Sequence, residues 1–262
     1  MQLETINLEF RGAGAWITLN RPNDMNAISM QLLNDLETAL TQCQSNSDIK
    51  VIVLTGNGPA FCAGADLKGL LLSLKGSEPG VKDLLDRFDD VFRLLRCFPK
   101  PVIAAINGLA LAGGLELAMC CDIIYAAASA KIGDAHSNFG VCPGGGGAAV
   151  LPRKVGLNRA KYLLFTGEFL PAAELERYGL INRVVQDENL NEEVEKLVAK
   201  LAAKSPLVLR RMKEVAGASQ DQSLEAALRH EILILRQHMR SYDLQEGLRA
   251  FTEKRKPDFK GF

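Results

Sequence analysis

Pro101-Val-Ile-Ala-Ala-Ile-Asn-Gly-Leu-Ala-Leu-Ala-Gly-Gly-Leu-Glu-Leu-Ala-Met-Cys-Cys-Asp122 decides the fold of this 262-residue chain. Val102 to Ile106 is a short apolar, partly β-branched run, the pattern of a strand buried on both faces. Asn107-Gly108 turns the chain, and Gly113-Gly114 opens a short helix with Glu116 in its first turn. Glycines at a helix start let a ligand approach backbone N–H groups that have no partner within the helix. Such groups can hold a developing oxyanion. A carboxylate set among Leu115, Leu117, Ala118 and Met119 is expected to have its pKa raised by desolvation. Donors beside a tuned acid or base suit chemistry at a carbonyl. Alone, the segment fits equally well a buried strand–turn–helix in which Glu116 only complements the helix dipole.

A second segment of the same kind tips that balance. Strand Val51-Ile-Val-Leu-Thr55 runs into Gly56-Asn-Gly-Pro-Ala-Phe-Cys-Ala-Gly-Ala-Asp-Leu-Lys68. Ala63, Gly64 and Ala65 expose the backbone at a strand end, with Asp66 and Lys68 at its rim. Two strand ends, each offering an N–H, are what a two-donor oxyanion hole requires. Phe61-Cys-Ala-Gly-Ala-Asp66, with Asn107-Gly-x-Ala-x-x-Gly-Gly-x-Glu116 and Asp122, closely resembles the crotonase family of enoyl-CoA hydratases and isomerases. The resemblance runs from Leu19-Asn-Arg-Pro22 to Glu246-Gly-Leu-Arg-Ala-Phe-Thr-Glu-Lys254, with the motifs in order.

The resemblance implies an α/β fold, a crotonase-like spiral of ββα units followed by a C-terminal helical region that builds a trimer or a dimer of trimers. Residues 1–200 would form the core and 201–262 the helical region. It implies an acyl-CoA thioester substrate, with coenzyme A as part of that substrate and no separate cofactor or metal. By motif position, Ala65 and Gly113 would donate to the thioester oxygen, with Ala63, Gly64 and Gly114 close by. Asp66, Leu67 and Lys68 would line the nucleotide end, though Lys68 also reads as a solvated loop charge. Phe251 and Lys254 would reach the same end, in a neighbouring subunit if the chain assembles.

In the hydratases of this family two glutamates hold and activate water. The first falls on Glu116 and the second on His136, a departure from the pattern. A carboxylate and an imidazole can divide acid and base roles, with a titration near neutrality. Asp134 would orient the His136 ring if the segment is extended, and otherwise reads as a turn residue. The glycines of Phe139-Gly-Val-Cys-Pro-Gly-Gly-Gly-Gly147 suit a phosphate cradle, whereas the family's equivalent loop shapes the acyl pocket. Cys142 has nothing electropositive beside it in sequence, so it reads as an ordinary thiol. The resemblance points first to hydration of a 2-enoyl-CoA in fatty-acid or related acyl-CoA metabolism. Double-bond isomerisation, thioester hydrolysis or decarboxylation through His136, and acyl-CoA binding without turnover are the alternatives.

Composition narrows the field independently. Lys plus Arg and Asp plus Glu are equal at 31 each, so no global field favours a nucleic-acid backbone or an anionic membrane. No leader and no membrane span is apparent, and the six cysteines lack paired C-x-x-C spacing. They read as reduced core or near-core residues of a cytoplasmic protein. A Rossmann dehydrogenase fails because no G-x-G-x-x-G follows the first strand with an acidic residue about 20 positions on.

Further elements follow from pattern. Ile6–Phe10 and Trp16–Leu19 read as a hairpin, and Ser29 as the N-cap of a helix carrying Leu32, Leu36 and Leu40. Leu84 to Leu95 reads as a helix, residues 56–69 as a loop, and 70–81 as a mobile flap. A strand at 122–126 and a short extended piece near Lys131 complete the central pattern. Beyond Leu151 helices dominate, broken by a strand at 180–185. One helix carries Leu224, Ala227, Leu228, Ile232, Leu235 and Met239 as an apolar stripe, which normally means core.

Overall fold

The computed structural model describes residues 3–73 and 82–262. Two sheets organise it. The larger contains β1 (Ile6–Arg11), β2 (Gly14–Leu19), β3 (Val51–Gly56), β5 (Val102–Ile106), β7 (Ile123–Ala127) and β10 (Arg183–Val185), side by side in that order. Its first pair is antiparallel and every later pair is parallel. The smaller sheet contains β4 (Ala60–Cys62), β6 (Leu109–Leu111), β8 (Lys131–Gly133) and β9 (Leu170–Pro171). In it β4, β6 and β8 run parallel, and β9 returns antiparallel.

The chain therefore alternates between sheets. β3 is followed by β4, β5 by β6 and β7 by β8, and after each pair the chain leaves to wind the next turn of a spiral. β5 is buried along its whole length, because parallel strands under crossovers lack a solvated face. Helix α1 (Met30–Ser45) begins as expected at Ser29, whose side chain accepts from the Leu32 N–H. After α2 (Leu67–Ser73), α3 (Leu84–Arg96) starts at a capping box in which Asp83 and Asp86 each accept from the other's backbone N–H. Beyond α4 (Gly113–Met119), α5 (Leu151–Val155), α6 (Leu157–Thr166) and α7 (Ala172–Arg177), helix α8 (Leu190–Ala202) packs on β2, β3, β5 and β7. Then come α9 (Pro206–Ser219), α10 (Leu224–His238) and α11 (Tyr242–Thr252).

Four expectations change. The segment 56–69 is not all loop, since it contains β4 and the start of α2. The expected flap overlaps α2 at 70–73, and its remainder, 74–81, lies outside the described residues. Cys43, Cys62, Cys120 and Cys121 are buried, but Cys97 and Cys142 are exposed, so the thiols are not uniformly core residues. The stripe on α10 is not core within one chain: Leu224 is 77% exposed, and Leu228, Ile232, Leu235 and Met239 are also exposed. By contrast α11 is tied down. Asp243, at its first turn, accepts from the Ser205 hydroxyl and from the backbone N–H groups of Lys260 and Gly261. No helix among the described residues is long and apolar enough to cross a membrane.

Candidate active site

Because β4, β6 and β8 are neighbouring parallel strands, their C-terminal ends lie at one edge of the small sheet. Strand carboxyl ends are where open α/β folds place ligands. The residues that leave these ends are Ala63–Asp66, Ala112–Glu116 and Asp134–His136, so the topology brings three separate sequence segments together. They border a cavity of about 880 Å³. Its lining includes Ala63, Ala65, Gly113, Glu116, His136 and Cys142, with Phe88, Phe139 and Phe169 supplying aromatic surface. A cavity of this size, apolar with a few convergent polar groups, suits a small-molecule site.

Gly113 is the first residue of α4, and a Cβ built on it would lie 3.3 Å from the Ala65 nitrogen. The two backbone N–H groups are thus close neighbours. Neither donates to a partner among the described residues. A pair of free donors on a cavity wall can polarise a carbonyl and hold an oxyanion. Ala112, just before Gly113, has φ 49° and ψ −118°, a costly conformation for a residue with a side chain. It is pinned by its N–H, which donates to Gly133 O at the end of β8, and by its carbonyl, which accepts from the Glu116 N–H.

Glu116 is only 2% exposed. Its Oε1 accepts from the N–H groups of Gly145 (2.8 Å) and Gly147 (2.7 Å). Its Oε2 lies 3.8 Å from His136 Nε2, too far for a direct hydrogen bond. Burial pushes the Glu116 carboxyl above its ordinary value, against the opposing pull of the Gly147 bond, the nearby imidazole and the Gly145 bond. Burial pulls the His136 imidazole down, but the Asp134 hydrogen bond and charge, together with Glu116, outweigh it and leave its pKa raised. Asp134 Oδ1 lies 3.0 Å from His136 Nδ1.

The site residues expected from sequence divide into groups. Ala63, Ala65, Asp66, Leu67, Lys68, Gly113, Glu116 and His136 all line the cavity. Gly64 and Gly114 stand behind the lining, where their lack of a side chain serves packing: a Cβ on Gly114 would fall 1.9 Å from Cys62 O. Asp66 accepts from Arg21 Nη2 and from the N–H groups of Lys68 and Gly69. Burial raises its carboxyl, but the bonds from Arg21, Gly69 and Lys68 outweigh that and leave it lowered. Arg21 itself lines the cavity and escaped the sequence reading, although it lies in the quoted Leu19-Asn-Arg-Pro22 motif. Phe251 and Lys254 do not line the cavity, and Phe251 is 85% exposed. Gly145 and Gly147 also escaped it. Of the two readings of the glycine loop, a wall of the pocket fits, since Val141, Cys142, Gly144 and Gly145 line the cavity, and the anion that its backbone holds is the protein's own Glu116.

A model of the enoyl-CoA hydratase/isomerase family matches residues 9–261. The chain belongs to that family. It is 38% identical over 260 residues to the crotonyl-CoA hydratase of Syntrophomonas wolfei, covering 99% of both chains. It is 33% identical over 259 residues to the short-chain-enoyl-CoA hydratase of Clostridium acetobutylicum, covering 98% of this chain and 97% of the relative. The crystal structure of an enoyl-CoA hydratase from Bacillus anthracis superposes with a TM-score of 0.91 at 36% identity, covering 99% of this chain and all of the other. The spiral is thus the crotonase fold of an enzyme family, as the motifs implied.

Proposed function

We propose that this enzyme hydrates a 2-enoyl-CoA, with Glu116 as base and His136 as acid. The observation that carries the reading is the 3.8 Å spacing of Glu116 Oε2 and His136 Nε2 on the wall that also holds the free Ala65 and Gly113 N–H groups. At that spacing one water oxygen can touch both side-chain atoms. The likeness to enzymes named crotonyl-CoA hydratase and short-chain-enoyl-CoA hydratase supports the substrate class.

In this reading Glu116 takes a proton from water as the water oxygen bonds to the β-carbon. The displaced π electrons move to the thioester oxygen, and the resulting enolate is held by Ala65 and Gly113. The protonated His136 then gives its Nε2 proton to the α-carbon, leaving a 3-hydroxyacyl thioester. Return of the proton from Glu116 to His136 resets the pair. A panel of enoyl-, 3-hydroxyacyl- and malonyl-type CoA thioesters tests the reaction class. Crotonyl-CoA hydration should dominate; turnover confined to a malonyl-type thioester or to a double-bond shift would overturn it.

The protonation states fix the pH dependence. Glu116 must be ionised, so kcat/KM falls as pH drops through its raised pKa, above the ordinary 4.5. His136 must be protonated, so kcat/KM falls again as pH rises through its raised pKa, above the ordinary 6.5. The expected profile is a bell whose two limbs belong to the coupled pair. A rate that keeps rising through the alkaline side would rule out a protonated His136 as the acid.

We further propose that the exposed α10 stripe is covered by other copies of the chain, in a trimer or a dimer of trimers, and that Phe251 and Lys254 contact the nucleotide end of the substrate across that assembly. Light scattering at micromolar concentration should give a mass three or six times that of one chain. A monomer would refute the assembly.

A further inference from the structure

We infer that Asp134 is a positioning residue, which fixes the tautomer and charge of His136 so that Nε2 faces Glu116 with a proton to give. The inference rests on the role proposed for His136. Asp134 is fully buried at 0% exposure, at the end of β8. Its Oδ1 accepts from the His136 backbone N–H at 3.3 Å and lies 3.0 Å from Nδ1, while its Oδ2 is buried with no hydrogen-bond partner among the described residues. A buried carboxylate with a bare oxygen is expensive unless a neighbouring positive charge compensates it. The imidazolium of His136 is the group placed to do so.

The backbone is bent to make this contact. Ala135, between the two residues, has φ 60° in the left-handed region, which folds the ring back over the carboxylate. The segment is a turn and not the extended stretch on which the pairing was premised, yet the turn brings the ring to the carboxylate all the same. Asp134 also reaches the other half of the pair. A Cβ on Gly147 would fall 2.6 Å from Asp134 Oδ2, and the Gly147 N–H is a donor to Glu116. The loop that holds the base is therefore packed directly on the residue that holds the acid.

With Nδ1–H donated to Asp134, only Nε2 is left to exchange protons with the cavity. Among the described residues, the charged groups facing the ring are Asp134 from its own segment and Glu116 from α4. The other ionisable groups among the described residues along the same cavity are Arg21, Asp24, Asp66, Lys68 and Cys142.

Two measurements test this on the intact protein. The chain has three histidines, so ¹⁵N shifts of His136 can be assigned by their loss in His136→Gln. In the native protein Nδ1 should remain protonated throughout the titration while Nε2 titrates. A neutral form protonated at Nε2 overturns the proposal without any change at Asp134. In Asp134→Asn the alkaline limb of kcat/KM should move to lower pH, with about a tenfold loss of rate on that side for each pH unit moved. Acetoacetyl-CoA affinity should be unchanged. If His136→Gln removes the limb but Asp134→Asn leaves both limb and ¹⁵N titration in place, Asp134 only packs. If His136→Gln leaves the limb, the proposed role of His136 fails instead.

Discussion

Glu116→Gln is expected to lower turnover of crotonyl-CoA by about 10²–10⁴-fold, the usual worth of a positioned acid or base. Acetoacetyl-CoA, whose enolate resembles the proposed intermediate, should bind nearly as before. The substitution is nearly isosteric, and its amide oxygen can still accept from Gly145 and Gly147, so the loop keeps its place. What is lost is the carboxylate's negative charge, and with it the acceptor at Oε2, which lies 3.8 Å from His136 Nε2. That charge also helps raise the His136 pKa, so any residual activity should show its alkaline limb at lower pH and no acid limb. Calorimetry and a pH series on one preparation check both points. Retained turnover with an unaltered profile would leave Glu116 as a first-turn partner of the α4 dipole and nothing more.

The chemistry at this site was more legible in the sequence than its scaffolding. Gly113, Glu116 and His136 could be named because motif order places them, and the desolvation that raises Glu116 could be read from its apolar neighbours. Gly145 and Gly147 could not be named as partners of Glu116, because backbone donors leave no side-chain signature. The glycine run did say that an anion could be cradled. It could not say that the anion would come from a helix 29 and 31 residues away in sequence. Asp134 was legible only as a choice between an extended pair and a turn. The left-handed Ala135 resolves that choice in a way no side-chain period encodes.

The fold divides along a similar line. β3 and β5 are largely apolar strands of six and five residues, long enough for their composition to declare them. Their companions β4, β6 and β8 have three residues each, too few for any period to show, yet they are the strands whose ends carry the site. The spiral came from resemblance, since local pattern shows the long strand of each pair and, of the short ones, only an extended piece near Lys131. On α10 the periodicity was correct and its meaning was not. A stripe at helical spacing records that apolar side chains share a face, without saying whether the surface that covers them belongs to the same chain.

Gly113→Val is expected to abolish detectable binding of acetoacetyl-CoA and, with it, turnover. A Cβ at this position lies 3.3 Å from the Ala65 nitrogen and 3.4 Å from Gly64 Cα, so a single methyl is tight. Valine adds two further methyl groups at the same place, over the pair of free N–H groups. Losing even one oxyanion donor typically costs about 3–4 kcal/mol of transition-state stabilisation, and valine obstructs both. Gly113 does not have a positive φ, so a side chain there imposes no left-handed strain and the protein should still fold. Gly114→Ala is the informative contrast. Its Cβ would fall 1.9 Å from Cys62 O, within the packing of α4 against β4, so it should lower the melting temperature as well as activity. Gly113→Val should lower melting less than Gly114→Ala does, since its contacts at 3.3–3.5 Å are milder than 1.9 Å, while ligand binding disappears. Native affinity in a folded Gly113→Val protein would mean that the thioester oxygen does not sit between Ala65 and Gly113, and the enolate chemistry would have to be placed elsewhere.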